Sequence, residues 1–513
     1  MFYHKVVIVL VLPVAVAACG GGSGGQASSG GVTIPVIVAP PVTAPIPRGT
    51  LVGGPVSVSI ALGGSAGSAA TIDAQQFKQL LESAQSGMSG ITSTPVCGVS
   101  SYTVRYNTMG SAGEATEAST AVMLPAGTDP ACTGPRPVVL YAHGTSPLKS
   151  YDMSKLEGTE ARLIAAIFAG QGYIVVAPNY AGYGGSTLGY HAYLDAEQQS
   201  ADMMDGLRAA RSAFGQIGAS ASAKLYVTGY SQGGFVAMAT QRAMQSRYPA
   251  EFAVTASAGL SGPYALLKFG DTIFGGAPST GTTAFLPMLI NAGQRANAGL
   301  YSNAAEVYEA RYASGIENIL PGTVSLGELA SSGKLPASAL FAWNSLPQAA
   351  ASKEFFNDGN LIRTSYRDGY TADMQTRPCD TSASDPLACA PQHALRQWLK
   401  KNDLRNFTPA VPMLLCGGDA DPIVPYYNTN ALADYFRAQK GGTLHVVNVD
   451  STPSLFGDDY SQPKLGFLAA KTAVRANAAI TGGSGDAAVR DAYHAGLVAP
   501  FCLRAARDFF RAR

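Results

Sequence analysis

The stretch Lys224-Leu-Tyr-Val-Thr-Gly-Tyr-Ser-Gln-Gly-Gly-Phe-Val-Ala-Met-Ala-Thr-Gln241 joins an apolar run, a Gly-x-Ser-x-Gly turn and a helix-forming run without a break. In that order it reads as a buried strand, a sharp turn and a helix. A serine hydroxyl is a weak nucleophile until a turn lifts it clear of the backbone toward a base, and a strand-to-helix elbow does this. Ser231 is therefore the candidate nucleophile. Gly229 and Gly233 leave room for the turn, and the helix that begins near Gly233 aims its free N–H groups at the reacting centre. The pentapeptide alone is a weak signal in a chain with 58 glycines, and its flanking strand and helix give it weight.

Working outward, Ser101 to Thr108 and Ala121 to Leu124 predict a hairpin or meander, followed by a buried strand in Pro137-Val-Val-Leu-Tyr-Ala and a polar loop, His143-Gly144-Thr145. A helix over Thr159 to Gln171, a strand over Tyr173 to Pro178, a Gly-rich loop over Asn179 to Ser186 and a helix over Ala196 to Phe214 complete the approach to the elbow. Strands alternating with helices predict an α/β fold with a mostly parallel sheet covered on both faces. Phe252 to Leu260 reads as the next strand, and the strand signal then vanishes until Val411-Pro-Met-Leu-Leu-Cys416. A structureless loop of that length is improbable inside a compact domain. Residues 261–408 are therefore read as a mainly helical insertion, with helical patches at Ser302 to Ala313 and Leu335 to Trp343. The core resumes over 409–513 with a strand at Leu444 to Val449 and a last helix from about Pro500 to Arg511.

An elbow serine needs a base and an acid, and in this architecture the acid and then the histidine follow the serine in the chain. Only His393, His445 and His494 follow Ser231. His393 falls in the insertion, and His445 sits inside a strand, where a half-buried or edge histidine is the plainer reading. His494, after a flexible Gly-Ser run and just before the last helix, is the predicted base. For the acid, Cys416-Gly-Gly-Asp-Ala-Asp-Pro-Ile-Val-Pro425 offers two carboxylates past a strand end. Asp421 is favoured because Ile423 and Val424 can anchor the turn beneath it, whereas Asp419 is assigned to loop support. The other usual acid position, Ala258-Gly-Leu-Ser-Gly-Pro-Tyr264, holds no carboxylate. Acyl transfer also needs oxyanion donors: the Gln232 N–H, and a second from the loop carrying Gly144 and Thr145. His143 reads as a residue that fixes this loop. Asn179 to Gly185 reads as a turn, with its tyrosines a lesser candidate for the cleft wall.

The chain opens with Lys5, the apolar run Val6 to Ala18, and Cys19. The run is too short to span a bilayer as a helix, so residues 1–18 read as a lipoprotein-type signal peptide and Cys19 as the lipidation site. The alternative is an ordinary secretory leader. Residues 19–70 are rich in Gly, Ser, Pro and Val with Arg48 their only charge, and read as a tether to a core that starts at 71. Lipid on Cys19 anchors a protein to a membrane without spanning it. A balance of 35 basic and 34 acidic side chains, without a basic cluster, excludes a nucleic-acid partner. Setting Cys19 aside leaves Cys97, Cys132, Cys379, Cys389, Cys416 and Cys502, an even set that fits an exported, oxidised protein. Sequence alone leaves their connectivity open. The favoured pairs are 97 with 132, 379 with 389 and 416 with 502, each flanking one structural unit. None shows Cys-x-x-Cys spacing, so no metal site is read, and no cofactor is implied.

Together Gly229-Tyr-Ser-Gln-Gly233, His143-Gly144, Gly418-Asp-Ala-Asp-Pro-Ile-Val-Pro425 and Tyr493-His494 resemble the α/β-hydrolase superfamily, in order and spacing, from about Cys97 to the end. The long insertion before the acid strand is similar to the lid of secretory lipases related to yeast lipase A. The resemblance implies a serine hydrolase of carboxylic esters, with a lipid or aryl ester among its possible substrates and the insertion governing access. An exported serine peptidase of the same fold and a binding protein that has lost catalysis are the alternatives.

Overall fold

The computed structural model describes residues 47–62, 67–454 and 456–513. The predicted leader and Cys19 lie outside the described residues. Twelve strands follow in chain order: β1 (Val56–Val58), β2 (Ile60–Ala61), β3 (Ser68–Ala69), β4 (Thr71–Ile72), β5 (Gly98–Met109), β6 (Ala115–Ala126), β7 (Arg136–Ala142), β8 (Ile174–Pro178), β9 (Ala221–Tyr230), β10 (Val254–Leu260), β11 (Met413–Gly417) and β12 (Leu444–Asn448). Ten of them form one sheet in the order β1-β5-β6-β8-β7-β9-β10-β11-β12, with β4 also on β5. The run from β8 to β12 is parallel throughout. β5 and β6 join it as an antiparallel hairpin.

The central strands bury both faces, as parallel strands covered by crossover helices must. Side chains alternate across a strand, and β7 shows the consequence. Val138, Leu140 and Ala142 enter one core with the helices Ala196–Ala213 and Gln232–Arg247. Val139 and Tyr141 enter the other, with the helices Thr159–Ile167 and Ala499–Arg511. The predicted mostly parallel α/β sheet is thus present, with the elbow strand β9 near its middle.

Two sequence expectations need correction. The first concerns the tether. Val56–Val58 pairs antiparallel with β5, Val52 N–H donates to Arg105 O (2.9 Å), and the Arg48 guanidinium meets the buried Asp205 carboxylate at 2.7 Å. Low complexity concealed an edge strand, and residues from 47 onward belong to the described fold. The second concerns helices in the insertion. Leu335–Trp343 is not helical, because Pro336 removes an N–H and Leu340 and Phe341 instead donate to Phe355 O at 2.9 and 3.0 Å. Over 302–313 only two short turns form, Ala304–Glu306 and Ala310–Ala313. Between β10 and β11 the chain contributes no strand to the sheet; its longer helices are Leu266–Phe274, Thr282–Arg295, Thr364–Thr376 and Ala394–Asn402.

Three disulfides join Cys97 to Cys132, Cys379 to Cys389 and Cys416 to Cys502. The third clamps the end of β11 to the last helix across a sequence separation of 86 residues. In the chain-entropy picture a loop of this length stabilises by about 4–5 kcal/mol, an upper figure because native strain is neglected. The double substitution Cys416→Ser and Cys502→Ser is expected to lower unfolding free energy by up to that amount. Urea denaturation of the two proteins side by side measures it, and equal midpoints would refute the assignment.

Candidate active site

β9 runs through the sheet and ends at Tyr230, and the next helix starts at Gln232, so Ser231 alone makes the turn. It does so at φ 61° and ψ −123°, a strained region for a residue with a side chain. Ser231 N–H donates to Leu260 O of the neighbouring strand end at 2.9 Å, which holds the turn down. The backbones around it nearly touch. A Cβ at Gly229 would lie 2.2 Å from Gly233 O, and one at Gly233 would lie 1.9 Å from Ala142 O, so only glycine serves at either position.

His494 lies in a π-helical turn, Tyr493–Val498, between the helix Gly485–Ala492 and the last helix. Such bulges redirect a side chain that a regular helix would aim elsewhere. Its Nε2 lies 2.9 Å from Ser231 Oγ, and its Nδ1 lies 2.7 Å from Asp421 Oδ2. In the Nδ1–H tautomer the ring donates to Asp421 and offers its Nε2 lone pair to the serine proton. Tyr230 Oη donates to His494 O from beneath. Asp421 is 4 % exposed. Its Oδ1 accepts from Ile423 N–H and Val424 N–H, both at 3.0 Å, and its Oδ2 also accepts from Ser261 Oγ at 2.7 Å. Burial pushes this carboxyl up, but the His494 charge and the hydrogen bonds from His494, Ser261 and Val424 outweigh it and leave the pKa below the usual carboxylate value. Asp421 is thus kept as an anion.

The anchoring residues foreseen beneath Asp421 act through their amides. Asp419 is exposed, two residues from the buried acid. Ser261 stood in the motif passed over for lacking a carboxylate, and the parallel pairing of β10 with β11 brings it to the acid. Tyr493 accepts from Ala420 N–H at 3.0 Å and donates to Asp450 Oδ2 at 2.6 Å, tying the acid loop to the base's own turn. Both residues stood in stretches singled out in the sequence, but nothing local assigned either of them this contact. His445 sits on the edge strand β12 and meets Tyr460 and Arg513, while His393 precedes the helix Ala394–Asn402 and packs on Tyr366 and Tyr370. Neither approaches the relay by any bond in the structure.

On the other side of Ser231 lies the loop after β7. Gly144 N–H is already donated, to Glu160 Oε1 at 2.8 Å. Of the two loop residues expected to offer an oxyanion donor, Gly144 thus has its N–H engaged, while Thr145 lines the same cavity as Ser231 and Gln232. His143 is fully buried and its Nδ1 lies 2.6 Å from Gly144 O, the loop-fixing place foreseen for it. The tyrosines of the Gly-rich turn face the same loop: Tyr180 Oη donates to His143 O and Tyr183 Oη to Ser146 O, at 2.9 and 2.7 Å.

Two cavities meet at Ser231. One, of some 660 Å³ counting its open mouth, begins at Thr145, Ser231 and Gln232. It then runs between Leu266, Ile273 and Phe274 of one insertion helix and Phe285, Leu286 and Leu289 of the next. The other, of some 880 Å³ on the same measure, contains His494, Glu160, Thr159 and Leu503. Phe285 lines both.

Comparison with known proteins adds three findings. The family model of the prolyl oligopeptidase family matches residues 159–263, which carry the elbow. No curated protein matches the sequence. Among solved structures, the rice cell wall degrading esterase LipA from Xanthomonas oryzae matches at 25 % identity and TM-score 0.62, over 83 % of this chain and 96 % of that one. Its ligand-bound form matches at 23 % and 0.66, over 90 % and 98 %. A protein from Legionella pneumophila described as a candidate hydrolase matches at 21 % and 0.63, over 90 % and 97 %. Lipase A of Candida antarctica reaches a TM-score of only 0.46 at 15 % identity, which lends the lipase A resemblance no weight.

Next to the elbow, His191 is 2 % exposed, and its Nε2 accepts from Gln232 Nε2 at 2.7 Å and Gln199 Nε2 at 3.3 Å, while Nδ1 faces Ala181 O. Burial drives its pKa down to about 3. The unfolded chain therefore takes up a proton below its ordinary value of about 6.5 that the folded chain refuses. The stability tied to this site is complete above about pH 6.5 and declines toward pH 3, by up to roughly 1.4 kcal/mol per pH unit. Urea denaturation at pH 6.5, 5.5 and 4.5 should show a shallower decline for His191→Gln than for the parent, and parallel declines would refute the reading.

Proposed function

We infer that this chain, a hydrolase with the α/β-hydrolase fold, cleaves carboxylic esters through an acyl-enzyme on Ser231. The observation that carries this is the unbroken hydrogen-bond chain Ser231 Oγ, His494, Asp421, Ser261 Oγ at the mouth of an apolar cavity. Ser231 attacks the ester carbonyl as His494 Nε2 takes its proton. Asp421 holds the ring and balances the imidazolium. The negative oxygen of the tetrahedral species is received by the N–H groups of Gln232, at the start of the elbow helix, and Thr145. His494 then hands its proton to the departing alcohol, and water repeats the cycle on the acyl group.

The positions of the cavities divide the substrate. A leaving oxygen must be within reach of His494, so the alcohol belongs to the cavity that contains it. The acyl group then belongs to the cavity between the two insertion helices, whose wall beyond the reacting end is largely Leu, Ile and Phe. This supports an apolar acyl chain and a lid role for the insertion. The esterase neighbour from Xanthomonas oryzae supports the same bond preference. The match to the prolyl oligopeptidase family over 159–263 favours a second reading, an exported serine peptidase. Matched ester and amide substrates with one acyl group distinguish them. The three disulfides support maturation in an oxidising compartment, and with Cys19 as a lipid site the enzyme would work at the surface of a membrane.

Ser231→Ala and His494→Ala are each expected to remove ester turnover by a factor on the order of 10⁴ to 10⁶ with thermal stability preserved. His445→Ala should retain most activity. Nitrophenyl ester assays check this, and an active His494→Ala would overturn the base assignment. Replacing Phe285, Leu286 and Leu289 by Ala together should change the ratio of long-chain to short-chain turnover. A uniform change across acyl lengths would exclude a direct role for this wall.

A further inference from the structure

One carboxylate in the leaving-group cavity has no part in the relay. Glu160 stands in the first turn of the helix Thr159–Ile167, where the free N–H groups of a helix favour an anion. No cation pairs with it among the described residues. Its three partners are all uncharged donors: Gly144 N–H and Tyr141 Oη on Oε1, at 2.8 and 2.7 Å, and Tyr151 Oη on Oε2, at 2.5 Å. A carboxylate fixed from two sides by two phenols, Tyr141 buried and Tyr151 half-buried, is a rigid acceptor, and among the described residues the only backbone group it holds is the amide next to Thr145.

We propose that Glu160 is a positioning residue for the oxyanion site: by drawing Gly144 N–H to itself it turns the following peptide so that Thr145 N–H faces the reacting carbonyl. This rests on the reading of Ser231 as nucleophile with Thr145 and Gln232 as donors. The surrounding bonds have the same effect. His143 O, Gly144 O and Ser146 O are each taken, by Tyr180 Oη, His143 Nδ1 and Tyr183 Oη, so the carbonyls of the residues on either side of Thr145 are held by donors of their own. The acceptor oxygen is what the loop requires. A full negative charge beside an oxyanion opposes the reaction, so an uncharged acceptor of the same shape should serve.

The test compares Glu160→Ala with Glu160→Gln. Loss of one oriented oxyanion donor typically lowers kcat by on the order of 10²- to 10³-fold. Glu160→Ala should lose kcat on that scale with KM within about threefold, and Glu160→Gln should recover it to within about fivefold of the parent. Wild-type kcat in Glu160→Ala, a loss expressed in KM instead, or a Gln variant as poor as the Ala variant would each overturn the proposal. Should Glu160→Ala fail to fold, Glu160→Met, of similar length without an acceptor, takes its place with the same expected loss. The rate of Ser231 labelling by a fluorophosphonate, which also places a charged oxygen in the donor site, is measured in parallel. A parent that labels but turns over no ester removes the ester reading and leaves Glu160 testable by labelling rate. An unchanged labelling rate in Glu160→Ala with an active parent removes the Glu160 proposal alone.

Discussion

The contact on which the site depends is the approach of two backbones, where Gly233 lies against the end of β7 and Gly229 against Gly233. It leaves no room for a side chain at either position, and it forces Ser231 into left-handed backbone at the one place where a hydroxyl can leave the sheet. Strain of this kind persists only when its surroundings over-determine it. Here the bond from Ser231 N–H to Leu260 O holds the turn to β10, and the helix Gln232–Arg247 is buried along most of its length. The same contact brings the loop after β7 to the start of the elbow helix. Thr145 and Gln232, whose N–H groups are proposed for the oxyanion, therefore line one cavity beside Ser231.

What could be read from the sequence follows from this. The elbow, the chain order of its partners and the buried strands are local signals, because glycine spacing and apolar runs are properties of a few consecutive residues. The contacts of Ser261, Glu160 and Tyr493 were not legible because they are made by tertiary proximity. Each is an ordinary polar residue until β10 is laid beside β11, the helix after the β7 loop folds back, or the last turn reaches Ala420. His494 and Asp421 were found by elimination, and the structure places them 2.7 Å apart. The failures have physical causes too. Leu335–Trp343 has helical periodicity, but its backbone pairs with Phe355, and a Gly/Pro-rich stretch with Arg48 its only charge supplies an edge strand to β5.

The insertion is held together differently from the sheet. Its helices share no ladder, and a buried ion network joins three of them. Arg396, fully buried on Ala394–Asn402, bonds Asp271 of Leu266–Phe274 at 2.9 Å and Asp373 of Thr364–Thr376 at 2.7 Å. Arg367 donates to Phe274 O at 3.1 Å, at the far end of the first helix, and to Ser345 Oγ at 2.7 Å. Breaking one member of such a network leaves an uncompensated charge inside, so it favours one arrangement of the helices strongly. The first helix carries Leu266, Ile273 and Phe274 into the cavity. The position of an apolar wall is thereby set by charges behind it.

The early segment covers one side of β5 in relay: Leu51 faces Tyr106, Val56 to Val58 face Thr103 to Ser101, and Thr71 and Ile72 face Ser100 and Val99. A chain shortened to begin at residue 71, as composition alone would recommend, would keep every residue of the relay and every disulfide. It would also bare the long flank of β5 and strip Asp205 of its Arg48 partner. Unpaired strand flanks recruit other chains. The expected symptom of such trimming is self-association of an otherwise intact protein, so its soluble yield would be limited by the sheet edge farthest from β12.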